Sequence, residues 1–162
     1  MKKEQYKSVA NFLNQRKGLL KTAIIFQKLA EAFIYVSYPI FLIWLILNGN
    51  PFFWRSAISC GVGFLAVSLV RRLINAERPY KKYGFTPLIK KETEGNSMPS
   101  RHCFSASVIA VNISAVFFPL GIFIGALAVM IAVLRVLLGV HFIRDVAVGL
   151  IVGVIIGATV FI

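Results

Sequence analysis

Acidic residues are scarce in this sequence. Its 162 residues contain 6 Asp and Glu against 18 Lys and Arg, which gives a formal net charge of +12. Magnesium and two-metal centres need clustered carboxylates, so the shortage of acids argues against either mechanism. We expect no cofactor. A basic soluble domain would suggest a nucleic-acid partner. Here the basic residues cluster at the ends of apolar runs, so we expect anionic membrane lipids or phosphate-bearing substrates as partners, and no nucleic acid.

Cysteine is also rare. The two cysteines, Cys60 and Cys103, lie in or beside apolar segments and do not form a Cys-x-x-Cys spacing. This pattern indicates neither a redox motif nor a zinc site. We expect both side chains to behave as small buried hydrophobic groups.

Long apolar runs make up most of the chain. Hydrophobic residues account for 58% of the sequence, above the roughly 45–50% of soluble domains. Five segments approach the ~20 residues that a membrane-spanning helix needs, at 30–47, 52–74, 100–118, 120–138 and 142–162. We predict a single all-α membrane domain over 1–162, with about five transmembrane helices, in the cell membrane as a multi-pass protein.

The connections between these segments are mostly short. Turns at 48–51 and near 118–121 predict antiparallel neighbours in a helical bundle. A long polar loop, 75–99, is the exception, and we expect it to belong to the active site. Residues 1–29 alternate apolar and basic positions, which predicts an amphipathic interfacial helix; a flexible basic tail is the alternative.

The few chemically active side chains converge on one side of the bundle. The sequence has two histidines, His102 and His141, and one aspartate, Asp145. The segment count places them on the same membrane face as the remaining candidates, which are Arg71, Arg78, Ser100, Arg101 and Arg135. A random scatter would rarely produce this group, and ionisable residues at membrane depth indicate a functional site.

The spacing within this group fits a catalytic site. Arg71 and Arg78 are seven residues apart, which returns to nearly the same face of a continuous helix, and Pro79 is expected to end that helix near Arg78. His141 and Asp145 are four apart, so the carboxylate can reach the imidazole. Such a carboxylate fixes the tautomer of a catalytic histidine.

Phosphate is the ligand that this group suits. Arginines bind phosphate oxygens in bidentate geometry, and two histidines can supply the nucleophile and the acid of a metal-free phosphoryl transfer. Ser100 follows Pro99 at a predicted helix start, where backbone N–H groups favour an anion. Ser100 is alternatively a helix N-cap alone.

Other basic residues are interpreted as membrane anchors or positive-inside markers: Arg72, Lys81, Lys82, Lys90 and Lys91. Of the 18 basic residues, only Arg55 lies near the short loops of the opposite face. The positive-inside rule therefore favours a cytoplasmic location for the N-terminus and the catalytic face, but candidate site arginines contribute to this count, so an outward-facing site stays open as the alternative.

Three ordered motifs resemble the signature of a known family. They are RRLINAERP at 71–79, PSRH at 99–102 and RVLLGVHFIRD at 135–145. Together they resemble the motifs of the type 2 phosphatidic acid phosphatase superfamily. That superfamily includes membrane lipid phosphatases, undecaprenyl pyrophosphate phosphatases, glucose-6-phosphatase and vanadium haloperoxidases.

The resemblance implies a role for each candidate. His141 would attack phosphorus to form a phosphohistidine, and Asp145 would orient it. His102 would protonate the leaving oxygen and then activate water. The phosphate oxygens would be held by Arg71, Arg78 and Arg135, assisted by Ser100 and Arg101, without a metal.

The chain departs from the family pattern at three positions. Arg71 stands where Lys is common, Leu134 where Ser is common, and Arg101 where Gly is usual. A glycine lets the backbone approach a phosphate closely, whereas an arginine points aside or adds its charge, which would suit a pyrophosphate.

The predicted function is hydrolysis of a lipid phosphate or pyrophosphate. Phosphatidic acid, phosphatidylglycerophosphate and undecaprenyl pyrophosphate are the candidate substrate classes. The alternative is a non-enzymatic membrane protein that binds or moves phosphate-bearing lipids. A vanadate-dependent haloperoxidase is a third possibility, although the resemblance implies a soluble and much larger protein for that activity.

Overall fold

The regular secondary structure is helical throughout the part of the chain that the computed structural model describes, residues 1–89 and 95–162. The helices are α1 (Lys3–Gln15), α2 (Lys17–Leu47), α3 (Phe52–Ile74), α4 (Pro79–Tyr83), α5 (Arg101–Ser114), α6 (Phe118–Leu137) and α7 (Ile143–Ala158), with a 3₁₀ turn at Thr159–Phe161. The predicted all-α membrane bundle is confirmed. The basic residues Lys90 and Lys91, interpreted above as membrane-face markers, lie outside the described residues.

Four described stretches are long and apolar enough to cross a membrane: Lys17–Leu47, Phe52–Tyr83, Phe118–Leu137 and Ile143–Phe161. The predicted third span, 100–118, corresponds to α5, which has 14 residues and is therefore about 21 Å long. That length is below the ~30 Å of the hydrocarbon core. A fifth spanning helix therefore stays a prediction.

The N-terminal region divides differently from the prediction. Residues 17–29 are not part of a separate segment, because α2 runs unbroken from Lys17 to Leu47 over 31 residues. At about 46 Å it exceeds the hydrocarbon thickness, so its lysine-rich first turns can extend beyond the apolar layer. Helix α1 ends at Gln15 and buries Tyr6, Ala10 and Leu13 within the protein. An interfacial position for α1 stays a prediction.

A break between α3 and α4 corrects the expected placement of two arginines. Helix α3 ends at Ile74, and Asn75 takes a left-handed conformation (φ 42°) while its N–H donates to the carbonyl of Arg71. Arg78 is extended (φ −86°, ψ 157°), as expected for a residue before proline, and Pro79 begins α4. Arg71 and Arg78 therefore do not share a continuous helix, and Pro79 starts a helix rather than ending one.

Helix α5 forms the centre of the bundle. Ten of its 14 residues are buried, among them Phe104, Val108 and Ile113. It packs against α2, α3, α6 and α7. Large hydrophobic side chains on the outer helices are exposed, as at Leu47, Leu65 and Leu73. Such apolar outer surfaces are typical of helices that face the hydrocarbon layer of a membrane.

Small residues bring α7 against α5. Gly149, Gly153 and Gly157 recur every four residues on the face of α7 that meets α5. A Cβ added at Gly149 would lie 2.6 Å from the carbonyl oxygen of Ser100. Such stripes of small residues allow close approach of helix backbones within membranes. The close approach aligns the first turns of α5 and α7, where the candidate site lies.

Candidate active site

A cavity of about 300 Å³ gathers most of the predicted site residues. Its lining consists of Ser68, Arg71, Arg72, Arg78, Asn96, Arg101, His102, Arg135 and His141. The end of α3, the start of α5, the end of α6 and the connecting loops contribute these side chains. Six of the eight predicted site residues therefore line one cavity. The other two, Ser100 and Asp145, are fully buried and are not part of the lining.

His141 lies in the short connection between α6 and α7. Gly139 allows the turn by adopting a left-handed conformation (φ 74°), which costs glycine little. The backbone N–H of His141 donates to the carbonyl of Arg135 (3.3 Å). The side chain is buried, and its Nδ1 lies 3.3 Å from Ser97 Oγ and 3.6 Å from Asp145 Oδ2. Nε2, on the opposite side of the ring, is thus left for the cavity.

Asp145 is held in the first turn of α7. Its Oδ2 accepts hydrogen bonds from Ser97 Oγ (2.5 Å) and from the backbone N–H of Phe142 (3.0 Å). The predicted approach of Asp145 to His141 is present, and Ser97 connects the two side chains as a third member. Sequence reasoning missed Ser97. Its position three residues before Ser100 was the available signal, but its contact depends on how the 95–100 segment folds.

The surroundings of His141 favour the neutral imidazole. Burial lowers the pKa of His141 from 6.5 to about 4; the interaction with Asp145 opposes this shift, and the charges of Arg78 and Arg135 add to it. The ring is therefore uncharged near neutral pH. With its Nδ1 side directed at the carboxylate, a neutral ring presents an unprotonated Nε2 to the cavity.

Backbone carbonyls fix the first two arginines. Arg71 Nη1 donates to the carbonyl of Pro99 (2.8 Å). Arg78 Nη1 donates to the carbonyl of Val140 (3.1 Å), and its Nε donates to that of Gly95 (3.2 Å). Both side chains are buried. The remaining N–H groups of each guanidinium can face an anion in the cavity, because Arg has five donors in a rigid plane.

A carboxylate from α2 holds the third arginine. Arg135 Nη2 donates to Glu31 Oε1 at 2.7 Å, and Gln27 Nε2 donates to the same oxygen at 2.9 Å. Glu31 Oε2 lies 3.8 Å from Nε2 of His102. Sequence reasoning missed Glu31. The sequence did contain an indication of its role, because an acidic residue within the first apolar run is unusual in a segment with few charges.

Ser100 and Arg101 differ from the expectations in their geometry. The backbone N–H of Ser100 donates to the carbonyl of Asp145 (2.9 Å), whereas its buried hydroxyl makes neither a capping bond nor another hydrogen bond within the described residues. The guanidinium of Arg101 lies 5.9 Å from the centre of the Phe64 ring. Arg101 is exposed and lines the cavity. Its side chain therefore extends towards Phe64 and also adds positive charge at the edge of the cavity.

Two solved structures are similar to the whole chain. LpxE of Aquifex aeolicus superposes with a TM-score of 0.73 at 23% identity, covering 98% of this chain and 93% of that one. The first transmembrane PAP2-type phosphatidylglycerolphosphate phosphatase from Bacillus subtilis gives a TM-score of 0.55 at 22% identity, covering 96% and 90%. At these identities the likeness establishes the fold. The sequence matches no curated protein.

The family comparison covers the part of the chain that carries the three motifs. The model of the PAP2 superfamily matches residues 52–162, which is more than two thirds of the sequence and includes every predicted site residue. The resemblance inferred from the motifs is thereby confirmed, and the chain belongs to the PAP2 superfamily.

Proposed function

We propose that the chain is an integral membrane phosphatase that hydrolyses the phosphomonoester or pyrophosphate of a lipid through a phosphohistidine on His141, without a metal. The family assignment makes it a hydrolase of phosphoester bonds. The observation that carries the finer proposal is the geometry around His141. The buried neutral imidazole has Ser97 and Asp145 on its Nδ1 side, and it lines a cavity that also contains several arginines.

The first step is attack by Nε2 of His141 on phosphorus. The new N–P bond forms as the bond to the leaving lipid oxygen breaks, and His102 gives that oxygen its proton. Asp145 and Ser97 keep Nδ1 turned away and stabilise the positive charge that develops on the His141 ring. No co-reactant is needed up to this point, because the lipid alcohol or lipid phosphate simply leaves.

The second step is hydrolysis of the phosphohistidine. His102, now neutral, takes a proton from water, and the water oxygen attacks phosphorus as the N–P bond breaks. Inorganic phosphate and the starting enzyme result, with His102 protonated again. His102 has a partly exposed side chain (30%), which supports access for water from the cavity.

The arginines stabilise the transferring phosphoryl group. Arg71, Arg78 and Arg135 are fixed by hydrogen bonds before substrate arrives. Preorganised donors of this kind stabilise developing charge on phosphoryl oxygens without reorganisation during the reaction. Ser100 and Arg101 are proposed as further phosphate-binding groups, Ser100 from the buried wall and Arg101 from the rim.

The membrane architecture supports a lipid substrate. The spanning helices expose large apolar side chains along their outer surfaces, so a lipid tail can remain in the bilayer while its headgroup enters the cavity. We propose the cell membrane as the location. Phosphatidic acid, phosphatidylglycerophosphate and undecaprenyl pyrophosphate are the substrate classes to compare.

The test is phosphate release from these three lipids by the protein purified in detergent, beside its His141→Ala variant. We expect release by the wild type, its loss in the variant, and no loss after treatment with a chelator. Undiminished release by His141→Ala would contradict the proposed nucleophile, and a chelator-sensitive activity would contradict the metal-free reaction. Binding of the lipids by the wild type without any release would favour the non-enzymatic alternative.

A further inference from the structure

Glu31 lies at the candidate active site but outside the family motifs. It belongs to α2, whereas the family match begins at residue 52. One carboxylate oxygen receives hydrogen bonds from Arg135 (2.7 Å) and Gln27 (2.9 Å). The other oxygen lies 3.8 Å from Nε2 of His102. The carboxylate thus contacts both a predicted phosphate ligand and the predicted leaving-group acid.

The electrostatic surroundings of His102 make this contact significant. The described charged groups that line the same cavity are all cations. They are Arg71 and Arg72 of α3, Arg78 of the α3–α4 connection, Arg101 of α5 and Arg135 of α6. His141 lines the same cavity, and the Tyr35 ring of α2 is centred 6.5 Å from that of His102. Cations disfavour a protonated imidazole, whereas a carboxylate within about 4–6 Å favours it.

We propose that Glu31 is a positioning residue for acid catalysis, an inference that rests on the proposed phosphatase function. Its charge stabilises the protonated form of His102, and its hydrogen bond holds Arg135 in the orientation that meets phosphate. The proton moves from the His102 imidazolium to the leaving oxygen as the P–O bond breaks. It returns to His102 from water in the second step.

A comparison of leaving groups tests this role. Glu31→Gln keeps the shape and an oxygen acceptor for Arg135 but removes the charge. A lipid alcohol is a poor leaving group that needs a proton, whereas p-nitrophenolate leaves readily without one. We expect kcat for a phosphatidic acid substrate to fall by about 10- to 100-fold, which is a part of the roughly 10²–10⁴-fold that acid catalysis usually contributes, and kcat for p-nitrophenyl phosphate to fall by less than about threefold.

The pH dependence gives an independent readout. If the carboxylate keeps His102 protonated, its removal lets the imidazole lose its proton at lower pH. The alkaline limb of the kcat profile with the lipid should therefore move to lower pH in Glu31→Gln. Glu31→Asp keeps the charge and should restore part of the lost kcat. Glu4→Gln, which removes an exposed acid on α1, is the matched control and should match the wild type.

Two further measurements separate this role from a structural one. Thermal unfolding of each variant reports loss of the fold, and a double substitution with His102→Ala reports coupling. On the His102→Ala background, Glu31→Gln should change kcat for the lipid by less than about twofold, since the acid is already absent. Equal losses on both substrates, an unshifted alkaline limb, or a full additive loss in the double variant would overturn the proposal. An inactive wild type would instead refute the phosphatase function itself.

Discussion

The close contact between Gly149 and Ser100 predicts that one added methyl group lowers the catalytic activity, although Gly149 does not line the cavity. In Gly149→Ala the new Cβ would lie 2.6 Å from the carbonyl oxygen of Ser100 and 3.2 Å from Cys103 Cβ. The first of these distances is shorter than real Cβ contacts, and its neighbour is backbone rather than a flexible side chain. Reaching an ordinary contact at 3.4 Å requires α5 and α7 to separate by about 0.8 Å at this point.

The separation should lower both the free energy of unfolding and kcat. Overpacking of this kind costs about 1–3 kcal/mol, and the better helix propensity of alanine offsets up to about 1 kcal/mol. The displaced backbone of Ser100 is also bonded to Asp145 and lies two residues before His102. A shift approaching 1 Å between His102 and Asp145 can cost about 100-fold in rate. We expect kcat to fall by about 10- to 100-fold, with a modest decrease in Tm.

Phosphate release in detergent and thermal unfolding check this prediction. Gly61→Ala in α3 is the matched control, because a Cβ there meets no atom within 4 Å. That variant should retain its activity, and its Tm should equal or slightly exceed that of the wild type because alanine has the better helix propensity. If Gly149→Ala is as active and as stable as Gly61→Ala, the close packing of α5 on α7 does not align the site, and the reasoning is refuted.

Three further predictions concern the groups that hold His141. Asp145→Asn should lower kcat by about 10²–10⁴-fold in the phosphate-release assay, since an amide can hold the wrong tautomer; a loss below tenfold would contradict the assigned orientation. Tyr6→Phe removes a hydrogen bond from the Tyr6 hydroxyl to the carbonyl of His141 (3.1 Å) and should lower the free energy of unfolding by about 1 kcal/mol in denaturant titration; unchanged stability would contradict it. Because the folded-state pKa of His141 is lowered to about 4, the unfolded chain binds more protons between roughly pH 4 and 6.5. The free energy of unfolding should therefore rise with pH across that window, and His141→Ala should lose this part of the slope; an unchanged slope would contradict the lowered pKa of His141 in the folded state.

The sequence motifs predicted which residues meet, because each motif lies at the end of an apolar segment. Segment count alone brings Arg71, His102, Arg135 and His141 to one end of an antiparallel bundle. The structure places all four in the lining of one cavity. A wrong estimate of helix boundaries by a few residues leaves this result unchanged, since the apolar runs determine on which side each helix ends.

Local backbone conformation was harder to predict from the same motifs. The seven-residue spacing of Arg71 and Arg78 suggested one continuous helix, but Asn75 ends α3 in a left-handed conformation. Arg78 reaches the cavity through a turn and is fixed by the carbonyls of Gly95 and Val140. Asparagine tolerates this conformation better than most residues, so its presence before Pro79 was a signal for an earlier helix end.

Contacts between distant segments could not be predicted from motif spacing. Ser97 reaches Asp145 across 48 positions, and Glu31 reaches Arg135 across 104. Serine is common in loops, and Glu31 lies in the middle of α2; neither position in the sequence identifies the partner of the side chain. Their roles depend on tertiary packing, in which a polar group buried near a charge must find a partner.

Two parts of the chain contribute different groups to the candidate site. Residues 52–162 match the family and carry the histidines, the aspartate and the arginines. The first 51 residues add a carboxylate at Arg135 and a hydroxyl at the backbone of His141, from Glu31 and Tyr6. Cations alone would bind phosphate in any orientation, whereas an anion and a fixed backbone restrict how the headgroup and the leaving oxygen can lie. Under the proposed function, substitutions in α1 and α2 should therefore alter how a substrate lies in the cavity without replacing the residues proposed to perform the reaction.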